Sequence, residues 1–107
     1  MTAGGDTASV ILEHALLSVR PGQEAAFEVS FAEASPIILG MPGCRRLSLS
    51  RCVERAGSYL LLVKWGRLED HTGGFRRSAG YQDWRRLLHH FYDPFPTVEH
   101  YEPVLAP

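Results

Sequence analysis

The chain has 107 residues, which is enough for one domain with a modest hydrophobic core. Its formal net charge is −1 and its acidic and basic residues are interspersed, which argues against a nucleic-acid-binding protein with a basic face. Residues 1–9 are small and polar and contain no Lys or Arg. We therefore expect a flexible N-terminal segment there, neither a signal peptide nor an anchor, and a single domain over residues 10–107.

A strand and a helix are predicted at the start of this domain. Residues 10–19 form the strand, and both of its faces are mostly apolar. One face carries Val10, Leu12, His14 and Leu16, and the other carries Ile11, Ala15, Leu17 and Val19. Residues 23–34 follow as a helix with Phe27, Phe31 and Ala34 on one stripe. The helix is predicted to end at Ser35, because a residue before proline avoids the α conformation, and a second short turn is expected to begin at Pro36.

The middle of the chain predicts a hairpin of two strands. Residues 44–53 alternate between apolar and polar side chains, and residues 55–57 are typical of a turn. The apolar set is Leu47, Leu49 and Val53, and the polar set is Arg46, Ser48 and Ser50. Residues 58–65 form the next strand, which ends in Trp65.

The last third predicts a short helix, a longer helix and a strand. Residues 68–75 form at best a short helix, because Gly73 and Gly74 each cost about 1 kcal/mol relative to alanine. Ser78 is expected to cap a helix over residues 79–89 that places Tyr81, Trp84 and Leu88 on one face. Residues 92–96 form a rigid loop before a final strand at residues 97–104.

The resulting order, β-α-β-β-α-β, predicts an α+β ferredoxin-like fold with a four-stranded antiparallel sheet and helices on one face. The first and third strands are apolar on both faces, and no further helix is available to cover the second face. Because a monomer rarely exposes so large an apolar patch, we expect a homodimer with a face-to-face contact of about 2,000 Å².

The cysteines indicate a reducing compartment. Cys44 and Cys52 lie on one predicted strand, roughly 26 Å apart, whereas a disulfide needs Cα atoms within about 7 Å. Free thiols, and the lack of any run long enough for a membrane span, favour a cytoplasmic protein with no membrane contact. Neither cysteine belongs to a CxxC pair, and no HxH or HxxxH spacing occurs, so no metal site is expected.

Several segments, in order and spacing, resemble the antibiotic biosynthesis monooxygenase family of dimeric α+β barrel proteins. They are Val19-Arg20-Pro21-Gly22-Gln23, Pro42-Gly43-Cys44, the strand end at Trp65, Leu68-Glu69-Asp70-His71-Thr72, Tyr81-Gln82-Asp83-Trp84-Arg85 and Pro96-Thr97-Val98-Glu99-His100-Tyr101. The resemblance implies a dimer with a small-molecule cavity beside Trp65 in each subunit. It also implies oxygenation of a polyphenol or quinol without metal or flavin. The chain carries Val63 where some catalytic members have a polar residue, and the spacing from Trp65 to His71 does not match haem-degrading members.

The candidate catalytic residues are His71, Trp65 and His14. Cofactor-free oxygenation needs a base to ionise the substrate, and histidine suits that role because its pKa lies near neutrality. His71 is the first candidate, although a surface or capping histidine is an alternative. His14 could face the cavity or be a hydrogen-bonded core histidine, and Trp65 could be cavity wall or plain core.

The candidate ligand contacts are aromatic or cationic. They are Phe75, Tyr81, Trp84, Arg86, Phe91 and His100. Most of the aromatic residues could equally be core, and His100 could lie beside His14 or on the opposite face. The leading interpretation is a cofactor-independent monooxygenase acting on an aromatic, polyphenolic or quinol compound. The alternative is a non-catalytic dimer that binds a small apolar or aromatic ligand or supports a partner.

Overall fold

A computed structural model describes residues 10–105, so the flexible segment predicted at residues 1–9 lies outside the described residues. The helices and strands, in chain order, are β1 (Ile11–Ser18), α1 (Glu24–Leu39), β2 (Cys44–Arg51), β3 (Ser58–Trp65), α2 (Ala79–Leu88) and β4 (Val98–Tyr101). A π-helical turn at Asp70–Phe75 follows β3, and a 3₁₀ turn at His89–Phe91 follows α2. No helix within residues 10–105 has the length and apolar character needed to cross a bilayer.

The sheet is antiparallel in the order β2-β3-β1-β4, which confirms the predicted ferredoxin-like α+β fold. Central strand β1 pairs with β3 on one side and with the short edge strand β4 on the other. On β1 the buried side chains alternate with the others, because successive residues of a strand point to opposite faces. Glu13, Ala15 and Leu17 therefore face the helices, whereas His14 and Leu16 lie on the outer face of the sheet.

The core lies between the sheet and the two long helices. Helix α1 contributes a stripe of buried side chains that recurs every three or four residues: Phe27, Phe31, Ala34 and Ile38. Helix α2 contributes Trp84 and Leu88, and its N-terminus is capped as predicted, because the Ser78 hydroxyl accepts a hydrogen bond from the Tyr81 N–H.

The predicted end of α1 at Ser35 is wrong, because the helix continues through Pro36 to Leu39. Proline has no N–H to donate to the carbonyl of Ala32, four residues earlier. The Ser35 hydroxyl donates to that carbonyl instead, at 3.0 Å. Burial of Ile38 on the same stripe adds a reason for the helix to continue.

Two predicted strands end two or more residues earlier than expected. Strand β2 ends at Arg51, and Val53 is 91% exposed in the turn rather than on the apolar face of the strand. Strand β4 ends at Tyr101, two residues before Pro103, which has no N–H to extend the ladder. The outer face of the sheet remains uncovered within one chain, with Leu16 57% exposed and Tyr101 48% exposed.

Candidate active site

A cavity of about 330 Å³ lies between the helix-facing side of the sheet and the segments around α2. Its apolar wall includes Ala15, Leu17, Leu61, Phe75, Trp84 and Val98. Its polar and ionisable lining consists of Glu13, His71, Arg76, Tyr81, His89 and Tyr92. A mostly apolar pocket with a few convergent polar groups is typical of a small-molecule site.

Glu13 is the buried acid at one end of this cavity. Its position follows from the sheet register, in which Glu13 lies opposite Val63 on β3 and opposite His100 on β4. The indole Nε1–H of Trp65, two residues beyond Val63, donates a 2.9 Å hydrogen bond to Glu13 Oε1. Trp65 has no exposed surface and does not line the cavity, so it contacts the carboxylate from the core side.

His71 lies beside this carboxylate on the π-helical turn. Its ring stacks on Trp65, with centroids 5.3 Å apart and an interplanar angle of 19°. Its Nε2 lies 3.4 Å from Glu13 Oε1, and its Nδ1 lies 2.7 Å from His100 Nε2. The structure therefore links Trp65, Glu13, His71 and His100 through their polar atoms.

The wide turn that positions His71 begins after β3. Asp70 stabilises its start, because its carboxylate accepts a hydrogen bond from the Arg67 N–H at 3.0 Å. At the other end, the Arg76 N–H donates to the His71 carbonyl at 3.0 Å. The two glycines that weaken a regular α-helix here, Gly73 and Gly74, lie inside the π-helical turn.

Burial shifts the pKa values of these groups in opposite directions. Burial, with smaller contributions from the neighbouring Arg76 and His100, lowers the pKa of His71 to about 3. The pKa of Glu13 is raised by burial, against the opposing effects of the Trp65 hydrogen bond and of Arg76. Burial and Arg76 also lower the pKa of His100. Near neutral pH both imidazoles are therefore uncharged.

Several predicted ligand contacts lie at the cavity. Phe75, Tyr81 and Trp84 line it together, with the Phe75 ring 5.2 Å from that of Tyr81 and 5.6 Å from that of Trp84. His100 does not line the cavity itself, but it is in contact with His71, which does.

Three predicted site residues lie elsewhere. His14 is on the outer sheet face, where its ring lies 5.4 Å from that of Tyr101, because its neighbour Glu13 takes the inward position on the strand. Phe91 packs in the core, where the centroid of its ring lies 5.7 Å from that of Phe27. Arg86 points away from the cavity and pairs with Asp83 at 3.4 Å, with its side chain 68% exposed.

Sequence reasoning missed Glu13, Arg76, His89, Tyr92 and Phe95, all of which line the cavity. A signal for Glu13 was present, because strand alternation places it on the same face as Ala15 and Leu17. Arg76 and Tyr92 lie on connections, for which the sequence offers no comparable periodicity. Within residues 10–105, no group of three or more His, Cys, Asp or Glu side chains is arranged to hold a metal ion.

Comparison with known proteins points to one family. Protein YczJ of Bacillus subtilis (strain 168), whose function is uncharacterised, is 54% identical over 95 residues, covering 89% of this chain and 100% of that protein. A candidate antibiotic biosynthesis monooxygenase from Bordetella bronchiseptica has a crystal structure with 37% identity and a TM-score of 0.86, covering 91% of this chain and 99% of that one.

A more distant structure shows the same fold. SnoaB, a cofactor-independent oxygenase from Streptomyces nogalater, has 21% identity and a TM-score of 0.71, covering 94% of this chain and 96% of that one. Residues 10–87 match the sequence profile described as antibiotic biosynthesis monooxygenase. With most of its length matched, the chain belongs to the antibiotic biosynthesis monooxygenase family.

Proposed function

We propose that this protein is a cofactor-independent monooxygenase that oxidises a hydroxylated aromatic compound, such as a polyphenol or a quinol. The observation that carries the proposal is a buried carboxylate–imidazole pair, Glu13 and His71, in the wall of an aromatic cavity. Family membership supports the reaction class. The description of SnoaB as a cofactor-independent oxygenase supports a reaction in which the substrate supplies the electrons.

The reaction requires two proton removals and two proton returns. A base takes the substrate hydroxyl proton, and the electron-rich ring carbon then forms a C–O bond with O₂. The peroxide oxygen takes the proton back. Loss of the C–H proton forms the carbonyl as the O–O bond breaks, and the departing hydroxide is protonated to water. The products are a quinone and one water, so O₂ is the only oxidant required.

The cavity lining suits such a substrate. Phe75, Tyr81 and Trp84 offer ring faces and edges to a planar aromatic compound. Burial raises the pKa of Tyr92, so its hydroxyl remains protonated and able to donate to a substrate oxygen. Arg76 supplies positive charge near the developing phenolate. The polar groups favour catalysis over passive storage of an apolar ligand.

We also propose that the active form is a homodimer joined through the outer face of the sheet. Leu12, Leu16, Leu60 and Leu62 lie on that face, and no helix among residues 10–105 covers it. A second copy supplies the same apolar surface, which makes a symmetric contact self-complementary. A cytoplasmic location is the companion proposal, supported by the two free thiols, Cys44 and Cys52.

Oxygen uptake tests the catalytic proposal. The wild-type protein, without added metal or flavin, should consume O₂ with one or more members of a panel of dihydroquinones and hydroxynaphthalenes. His71→Ala and Trp65→Phe should each lower kcat/KM by at least about 10-fold, because one loses the polar contact of Nε2 with the buried carboxylate and the other loses the indole hydrogen bond to it. The control Arg55→Gln, in an exposed turn, should match the wild type. Equal rates in all four proteins would remove the proposed site.

A further inference from the structure

We infer that Glu13 is the catalytic acid–base group of this cavity, and that His71, held by His100, is a positioning residue rather than the base. This inference rests on the proposed function, which requires proton removal from a hydroxylated aromatic substrate. It assigns that step to a residue with no catalytic role in the sequence-based hypothesis, in which His71 was the base.

The two carboxylate oxygens of Glu13 have different surroundings. Oε1 accepts the Trp65 Nε1–H hydrogen bond and lies 3.4 Å from His71 Nε2. Oε2 has no hydrogen-bond partner within residues 10–105, yet it is not among their buried unpartnered atoms, of which His14 Nδ1 is the one example. Since Glu13 itself lines the cavity, Oε2 is the oxygen left for a ligand.

His71 is less suited to accept the substrate proton. Each of its ring nitrogens already has a polar neighbour, Glu13 at Nε2 and His100 at Nδ1. A neutral imidazole carries one N–H, and an ionised Glu13 favours placing that proton on Nε2. Nδ1 then accepts a hydrogen bond from the Nε2–H of His100. In this arrangement both histidines serve to orient Glu13 Oε1.

The groups around the carboxyl explain how it can both accept and return a proton. Trp65 from β3 and His71 from the π-helical turn contact it, Arg76 provides positive charge, and His100 faces it across the strand pair. Burial is the main cause of the raised pKa of Cys44 on β2 and of Tyr92 before β4, and the Glu13 carboxylate adds to both shifts. Burial shifts the pKa of Glu13 upward, towards the value that suits a general acid–base near neutral pH.

The proton steps then fall to a single oxygen. Oε2 takes the hydroxyl proton of the substrate, leaving the electron pair on the phenolate, and returns that proton to the peroxide. It next takes the C–H proton as the carbonyl forms and the O–O bond breaks. That second proton goes to the departing hydroxide, so Glu13 is ionised again at the end of each turnover.

An acidic phenol that does not undergo oxygenation tests this assignment without turnover. 4-Nitrophenol absorbs at longer wavelength when ionised, so its spectrum reports proton transfer on binding. We expect the wild-type protein to bind it as the phenolate below the pH at which the free compound ionises. Glu13→Gln, which keeps an amide oxygen to accept from Trp65, should bind it as the neutral phenol. Ionisation in Glu13→Gln equal to that in the wild type, or no ionisation in the wild type, overturns the inference.

A pair of His71 variants separates positioning from proton transfer. His71→Phe keeps a ring against Trp65 but removes the N–H that faces Glu13, whereas His71→Gln can restore a donor. We expect His71→Phe to lose about 10-fold in kcat/KM, because the carboxylate loses its polar contact with Nε2, and His71→Gln to recover most of that loss. Glu13→Gln should lose about 10² to 10⁴ in kcat, in line with a lost general acid–base.

The two proposals fail in different ways. If the wild type ionises bound 4-nitrophenol through Glu13 but consumes no O₂ with any compound in the panel, the oxygenase proposal fails and the acid–base assignment stands. If O₂ is consumed and Glu13→Gln retains full kcat, the assignment fails and the oxygenase proposal stands. A loss in His71→Gln as deep as that in Glu13→Gln would return the base role to His71.

Discussion

At the scale of single residues, the site depends on a carboxylate and an imidazole buried side by side. His71 has 3% of its side chain exposed and Glu13 has 6%, so the pKa of each is displaced towards its uncharged form. Such buried ionisable groups destabilise a fold when they must carry charge without compensation. Buried ionisable groups with shifted pKa values beside a cavity are typical of functional sites.

The acid sensitivity of folding should report the buried state of His71. Its pKa falls from 6.5 in the unfolded chain to about 3 in the fold, so between those values the unfolded chain binds more protons. The stability that comes from keeping His71 neutral is therefore fully present above pH 6.5, and it is lost as the pH falls towards 3. Urea unfolding from pH 7 down to 4 should show the wild type losing up to about 1.4 kcal/mol per pH unit relative to His71→Phe. A constant difference between the two proteins would contradict a neutral buried His71.

Glu13 should act in the opposite sense. Its pKa is higher in the fold than its ordinary value of 4.5, so its contribution is present below pH 4.5 and is lost as the pH rises through the folded value. A comparison of the wild type with Glu13→Gln over the same pH range isolates that slope and serves as the control for the His71 series.

At the scale of elements, helix α1 shows how one hydroxyl allows an internal proline. The Ser35 hydroxyl donates to the carbonyl that Pro36 cannot reach, and the helix continues to bury Ile38. A sequence rule based on backbone geometry does not include this replacement, because it depends on a rotamer of the preceding side chain.

A double-mutant cycle tests that replacement. Ser35→Ala should cost about 0.5 to 1 kcal/mol, because the Ala32 carbonyl loses its intramolecular partner. In a Pro36→Ala background the restored backbone N–H can satisfy the same carbonyl, so Ser35→Ala should cost almost nothing there. Thermal or urea unfolding of the four proteins measures the coupling. Equal costs in both backgrounds would show that the hydroxyl does not substitute for the missing donor.

Much of the fold could be predicted because it follows from local patterns. The alternation of Leu47 and Leu49 with Ser48 identified β2, and Ser78 identified the start of α2, where its hydroxyl is the observed cap. The site was less predictable, because it depends on pairing between distant segments. The pairing of β1 with β4 sets Glu13 opposite His100, and this register places His100 beside His71 on the π-helical turn. Strand alternation places Glu13 on the inner face, but a single charged residue within a strand does not by itself indicate a cavity.

At the scale of the whole molecule, the two faces of one sheet have different surroundings. The inner face builds the cavity, and the outer face carries Leu12, Leu16, Leu60 and Leu62 beside the polar residues of β2 and β4. A chain of this size has no further layer within residues 10–105 for that second face. Substitutions on opposite sides of the same strands can therefore test the proposed dimer and the proposed catalytic site independently.

Sedimentation velocity tests the assembly. Leu62→Arg should convert a dimer into a monomer at micromolar concentration, because it places a charge at the centre of the proposed apolar contact. Val29→Arg, at an exposed position on α1 that is 70% accessible, should leave the dimer intact. A wild-type protein that sediments as a monomer, or a Leu62→Arg dimer as tight as the wild type, would contradict the proposed interface.

Neighbouring positions 13 and 14 hold the two chemically versatile side chains of β1, and the parity of the strand decides which one reaches the cavity. The Val19 N–H donates to the Gly57 carbonyl at 2.8 Å, and Val19 also forms a β-bridge with Tyr92. These contacts fix the position of the C-terminal end of β1 on both sides. Deleting one residue between His14 and Val19 would reverse the alternation of the preceding residues. The Glu13 carboxylate would then leave the cavity side of the sheet, and the His14 imidazole would enter it. The alternation of side chains along β1 thus determines whether a carboxylate or an imidazole faces the cavity.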